Sequence, residues 1–285
     1  MPHGIPLHRF RPAALAVVAA ILTLVAPHRA VAVTIKASFA PIRMTARPGE
    51  IVTTVYRLKL QEDEPAVHFK VEVQDWWRSE DGQQSFYAPS GSIARSCSRW
   101  VSANPLESEV SGSEPLQVRL TISVPADVKP GGYWCALTAD EVPDPLSATA
   151  DGVGVRFLAS VSTGIYVNVN PIERGADVLS VDIVGDRAVA RVVNTGNIPV
   201  TVEGRYEFVK AGNALAVVVV DLPRNILLTE PIATGSYSAA LPDQSQLPSG
   251  RYLVRLVLDI GLDHYIAVQR ELDIRREDKR PGEGR

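Results

Sequence analysis

The chain has 285 residues, is 46% hydrophobic and 21% charged, and carries a formal net charge of −3. That is an ordinary globular composition, and a mildly acidic chain with no basic block is a poor candidate for nucleic-acid binding. The two cysteines, Cys97 and Cys135, are too few for a disulfide-rich scaffold.

The first 32 residues read as a cleaved secretory signal. His3, His8, Arg9 and Arg11 make a basic start, and residues 13–26 form an uncharged apolar run. This run is short of the roughly 20 residues that a membrane span needs. Ala30, Val31 and Ala32 supply small residues at the spacing of a signal-peptidase site; an uncleaved N-terminal anchor is the alternative. The segment takes Arg9, Arg11 and Arg29 with it, so the mature chain is more acidic. Export places Cys97 and Cys135 in an oxidising compartment, which favours a disulfide over two buried thiols or a redox pair. Closing a loop of that length contributes ~3–4 kcal/mol in the chain-entropy model.

Residues 33–152 read as a first domain. A strand opens it, and Arg47-Pro48-Gly49-Glu50 reads as a turn before a strand over 51–60. Val67, Phe69, Val71 and Val73 alternate with His68, Lys70 and Glu72, the pattern of a strand with one buried face. Trp76 and Trp77 close it on opposite faces, which predicts one tryptophan in the core and one outside. Residues 79–91 are rich in turn formers. Val118, Leu120, Ile122 and Val124 alternate with polar residues, Lys129-Pro130-Gly131-Gly132 turns the chain, and 133–137 resumes as a strand. This predicts a hairpin with a cysteine at each end.

Residues 153–169, VGVRFLASVSTGIYVNV, form the longest β-like run and are assigned as the last strand of the first domain and the connector. The run is either a plain core strand or an edge offered to another chain. Residues 170–275 repeat the style, with Asn194-Thr195-Gly196-Asn197 as a turn and a last strand over 265–274. Residues 276–285 read as a disordered, charge-mixed tail. Short strands with proline and glycine punctuation, and no long helical period, predict an all-β chain of two tandem immunoglobulin-like β-sandwich domains.

Catalytic signals are missing. His68 and His264 lie far apart outside any metal-ligand pattern, and there is neither a nucleophile elbow nor a phosphate-cradling loop. The expectation is a protein with no enzymatic activity, no metal and no cofactor.

Several motifs resemble those of periplasmic pilus-assembly chaperones. They are Ser38-Phe39-Ala40-Pro41-Ile42-Arg43 with Pro48-Gly49-Glu50, Val73-Gln74-Asp75-Trp76, Trp100 with Asn104-Pro105, Gln117-Val118-Arg119-Leu120, Val193-Asn194-Thr195-Gly196-Asn197 and Gly250-Arg251-Tyr252. The resemblance implies a periplasmic protein that lends the final strand of its first domain to an extracellular or pilus-type subunit by β-strand addition. The matching strand is Val153–Val161, with Val155, Phe157 and Ala159 as groove fillers. Arg43 matches the first of two bases that hold a client carboxylate. The second, a lysine, falls near Ser162-Thr163-Gly164, where this sequence has no base, and Arg156 is out of register for the role. The alternative is a structural or adhesive immunoglobulin-like module of the cell surface, without chaperone activity.

Overall fold

The computed structural model describes residues 35–37, 41–62, 64, 66–79, 82–90, 93–143, 158–210, 216 and 218–276. The expected signal segment and the charged tail therefore lie outside the described residues, apart from Arg276. Period-2 burial runs through most strands, and the chain folds as two tandem immunoglobulin-like β-sandwiches.

Among the described residues the first sandwich uses ten strands. One sheet has the order β1 (Ile35–Ala37), β3 (Ile51–Leu60), β8 (Leu116–Ser123) and β6 (Val101–Asn104). The other has the order β2 (Ile42–Ala46), β10 (Ser160–Val169), β9 (Gly131–Glu141), β4 (Val67–Arg78) and β5 (Gln84–Tyr87), with β7 (Glu107–Val110) also on β4. Among the described residues the second sandwich has seven strands. The order β11 (Ala176–Val184), β12 (Arg187–Asn194) and β15 (Thr234–Ala240) makes one sheet. The order β14 (Val218–Leu227), β13 (Val200–Lys210), β16 (Gly250–Asp259) and β17 (Ile266–Ile274) makes the other.

Two expectations change. β8 and β9 lie in different sheets, so the predicted cysteine-bounded hairpin is a crossover between sheets. The turn-rich stretch after Ser79 contains β5, paired to the end of β4. Among the described residues the last strand of the first sandwich spans Ser160–Val169, and Val153–Phe157 of the expected run lie outside them.

Cys97 and Cys135 are disulfide-bonded across 38 positions. The bond anchors the segment around residues 95–98 to β9 where β4 departs from it. The main chain confirms that anchoring: Trp134 N–H donates to Arg95 O and Cys97 N–H to Trp134 O. Beside it Asp75 is fully buried. Its carboxylate accepts bonds from the Ser96 and Ser98 hydroxyls and from the Ser90 N–H and hydroxyl. Burial alone would raise its pKa, but these four donors override it and hold the carboxyl below its ordinary range.

Trp76, on the outward face of β4, is 4% exposed, whereas Trp77 is half-buried. The outward tryptophan is the better covered because the second sandwich lies over it. Trp76, Trp134, Ala136 and Tyr166 pack with Leu228, Ile226 and Ile232. Burying each large ring is worth on the order of 4–5 kcal/mol as an upper bound. The Asn194–Asn197 turn completes the joint. Asn197 O accepts from Gly132 N–H, and its side chain bonds Glu173 N–H and Pro171 O in the connector. Gly132 touches Pro199 so closely that a β-carbon there would come within 2.1 Å of the ring.

Two outcomes follow. Gly132→Ala forces the joint apart, so limited proteolysis cuts the connector faster while both sandwiches keep their β-sheet circular dichroism. For Asp75 the folded pKa lies below the unfolded value of 3.8, so its contribution is present above that value and lost as pH falls through the folded pKa. Asp75→Asn removes this dependence, and its urea midpoint falls less steeply than the wild type's below about pH 4.

Candidate functional site: the β10 edge and the inter-sandwich cleft

β10 changes its surroundings halfway along. From Ile165 to Val169 it is hydrogen-bonded on both sides, antiparallel to β9 and parallel to β2. Ser160, Val161 and Ser162 pair only with β9 among the described residues. In an antiparallel ladder, hydrogen-bonded and non-bonded pairs alternate. Glu141 N–H donates to Ala159 O at 2.8 Å, which makes Ala159–Glu141 a bonded pair. Ser160–Asp140 and Ser162–Thr138 are therefore non-bonded pairs. The N–H and C=O groups of Ser160 and Ser162 point away from β9, on the side of the strand that is unpaired among the described residues.

Val161, the end of the expected strand, is 6% exposed and faces the interior of its own sandwich, with Ile165, Val167 and Val169. Ala159 is half-buried. Val153, Val155 and Phe157 lie outside the described residues. The side chains on the outer face are Ser160 and Ser162, both exposed.

At the other end of β10, beside its doubly paired half, lies a cleft between the sandwiches. Its volume is about 580 Å³, and its lining includes Arg43, Asn168, Arg174, Glu203, Arg224 and Asp259. Arg43 is the sequence-predicted base. β2 is paired so that Arg43 sits beside Tyr166, with its guanidinium 5.0 Å from the ring centroid. It donates to Thr201 Oγ1 at 2.9 Å, across the joint. Burial pushes the Tyr166 phenol up to about 12, against the pull of Arg43 and Arg78. The ring is thus neutral at ordinary pH, and the contact is cation–π in character.

No base stands at Ser162–Gly164, but the fold brings two others to the cleft. Arg174 comes from the connector. Arg224 comes from β14, where it pairs with Glu203 at 3.0 Å. Three guanidinium groups thus face two carboxylates, which leaves the cleft suited to an anionic group. Asn168, next to Thr45 and Gly132 in the ladder, has a buried side-chain oxygen with no hydrogen-bond partner among the described residues. Reading the sequence missed Arg174 and Arg224 because they lie 131 and 181 positions beyond Arg43, and only the folded joint makes them neighbours. The one available signal was Arg174's place in the proline- and glycine-bounded connector.

No group of three or more His, Cys, Asp or Glu side chains able to hold a metal occurs among the described residues. No described helix is long and apolar enough to cross a membrane.

No family model matches the chain, and no curated protein does. Among solved structures the chain is similar to the Pseudomonas aeruginosa CupB2 chaperone, with 13% identity over 83% of this chain and 100% of that one, at a TM-score of 0.45. It is similar to the E. coli chaperone DraB, with 13% identity over 86% of this chain and 99% of that one, at a TM-score of 0.40. It is also similar to a chain in the structure of the Salmonella enterica SafA pilin with the SafB chaperone, with 10% identity over 85% and 99%, at a TM-score of 0.46. All three are described as chaperones or chaperone complexes.

Arg43 is exposed, and exposed polar contacts contribute little to stability. Arg43→Ala is expected to lower unfolding stability by less than about 1 kcal/mol, as read by urea denaturation at neutral pH.

Proposed function

We propose that this protein is a periplasmic, chaperone-like protein that binds an extracellular or pilus-type subunit by lending it the free side of β10. The observation that carries this reading is that Ser160–Ser162 of β10 are paired on one side only among the described residues. Main-chain donors and acceptors at Ser160 and Ser162 face outward, on a strand whose other half is clamped between β9 and β2. An exposed edge is ordinarily a liability that proteins cover or blunt. One held rigid from behind is suited to adding a strand from a partner. The cleft at the far end of β10, with Arg43, Arg174 and Arg224, is suited to an anionic group such as a terminal carboxylate of that partner. The two elements together support binding and offer no catalytic constellation, so the protein acts by holding another chain.

Ser162→Pro is the sharpest test. It removes one outward-facing N–H, and proline is tolerated on an edge whose N–H faces solvent. Affinity capture from the periplasm of the producing cells, followed by mass spectrometry, compares the mature wild type with this variant. Envelope subunits recovered by the wild type should drop at least tenfold with Ser162→Pro, at unchanged circular dichroism. Equal recovery would contradict strand lending and favour a structural or adhesive surface module.

A further inference from the structure

The outer face of the sheet behind the open edge is organised in polar rows. Ser160 pairs with Asp140, Asp140 with Lys70, and Lys70 with Glu107, so one row crosses β10, β9, β4 and β7. The next row is Ser162, Thr138 and Glu72. Hydrogen bonds knit these rows together. Ser160 Oγ donates to Asp140 Oδ1. Thr138 Oγ1 lies 3.0 Å from Ser162 Oγ and 3.0 Å from Gln74 Oε1. Lys70 Nζ lies 2.6 Å from Glu72 Oε1. Both rows run to the side of β10 that is unpaired among the described residues and end there in a serine hydroxyl. On the opposite face the same edge shows Val161, packed in the apolar core.

A strand added beside Ser160 and Ser162 becomes the next member of each row. Side chains directly opposite one another on neighbouring strands meet within about 5 Å. A large apolar side chain placed beside Ser160 or Ser162 would lie against their polar cross-strand neighbours Asp140 and Thr138, with Leu158, exposed two residues before Ser160, as the apolar side chain near it. A threonine, serine or asparagine would extend the hydrogen-bonded rows instead. On the other face a β-branched apolar residue continues the core beside Val161.

We infer that the β10 edge selects a partner strand that alternates hydroxyl or amide side chains, set against Ser160 and Ser162, with apolar side chains on the opposite face. This inference rests on the strand-lending reading and adds a partner chemistry to it. The specificity of the edge then resides in its serines, and the apolar residues of β10 serve its own domain.

The test uses two fluorescein-labelled, lysine-flanked nine-residue peptides, one alternating valine with threonine and the other valine with leucine. Their affinities for the mature protein are read by fluorescence anisotropy. The threonine peptide should bind roughly fivefold more tightly, as two favourable cross-strand pairs imply. The double variant Ser160→Leu with Ser162→Leu should reverse the order, with its fold checked by circular dichroism. If the leucine peptide binds the wild type equally or better, the specificity inference fails while strand lending stands. If neither peptide binds, both fail. Sedimentation that shows a dimer through this edge, with no peptide binding, overturns the inference in favour of a second copy as the occupant.

Discussion

A β-strand has two sides on which its main chain can bond. In β10 both are occupied from Ile165 onward, whereas Ser160–Ser162 are bonded on one side among the described residues. The rest of the molecule depends on that division. β9 backs the full length of β10, and β2 runs parallel to its second half and sets Arg43 at the mouth of the cleft. The disulfide and the buried Asp75 hold the segment that fills the gap where β4 leaves β9. A strand fixed so firmly on one side loses little further backbone freedom when it gains a partner on the other, and pre-ordering of this kind lowers the entropic cost of association.

The second constraint is the coverage of an outward face. Most of the outer face of β4 and β9 is polar, but its end near the joint carries Trp76, Trp134 and Ala136. These apolar groups are removed from water by Leu228, Ile226 and Ile232 of the second sandwich. The same surface is thus a domain interface at one end and a hydrated, hydrogen-bonded sheet at the other. Arg43 stands near the boundary, with its guanidinium over Tyr166 and its hydrogen bond to Thr201.

Much of the fold is legible in the sequence because alternation is a local signal. Phe69 and Val71 face inward as their spacing predicts, and seven strands build the second sandwich. Pairing is not local, and there the sequence misleads. The alternation in 118–124 and 133–137 suggested neighbouring strands, yet β8 and β9 belong to different sheets. β5 was hidden because its four residues lie in a segment dense with turn formers and are all exposed. Trp76 and Trp77 have the same chemistry, and the second sandwich alone decides which is covered. The candidate site was half legible. Arg43 could be singled out from its motif. The apolar residues of the long run drew attention to Val161, but apolar side chains on a strand first satisfy their own core, and the outward positions belong to the serines.

The contact between Gly132 and Pro199 gives the joint a different character from the clefts that side chains usually shape. Neither partner has a rotamer to change: one is bare main chain and the other a closed ring. The spacing of the cleft walls is therefore a dimension of the backbone, like the gap of a fixed caliper. The guanidinium groups that line it can be exchanged without resetting that gap. In this molecule, what the cleft prefers to hold and how wide it stands are separately adjustable properties.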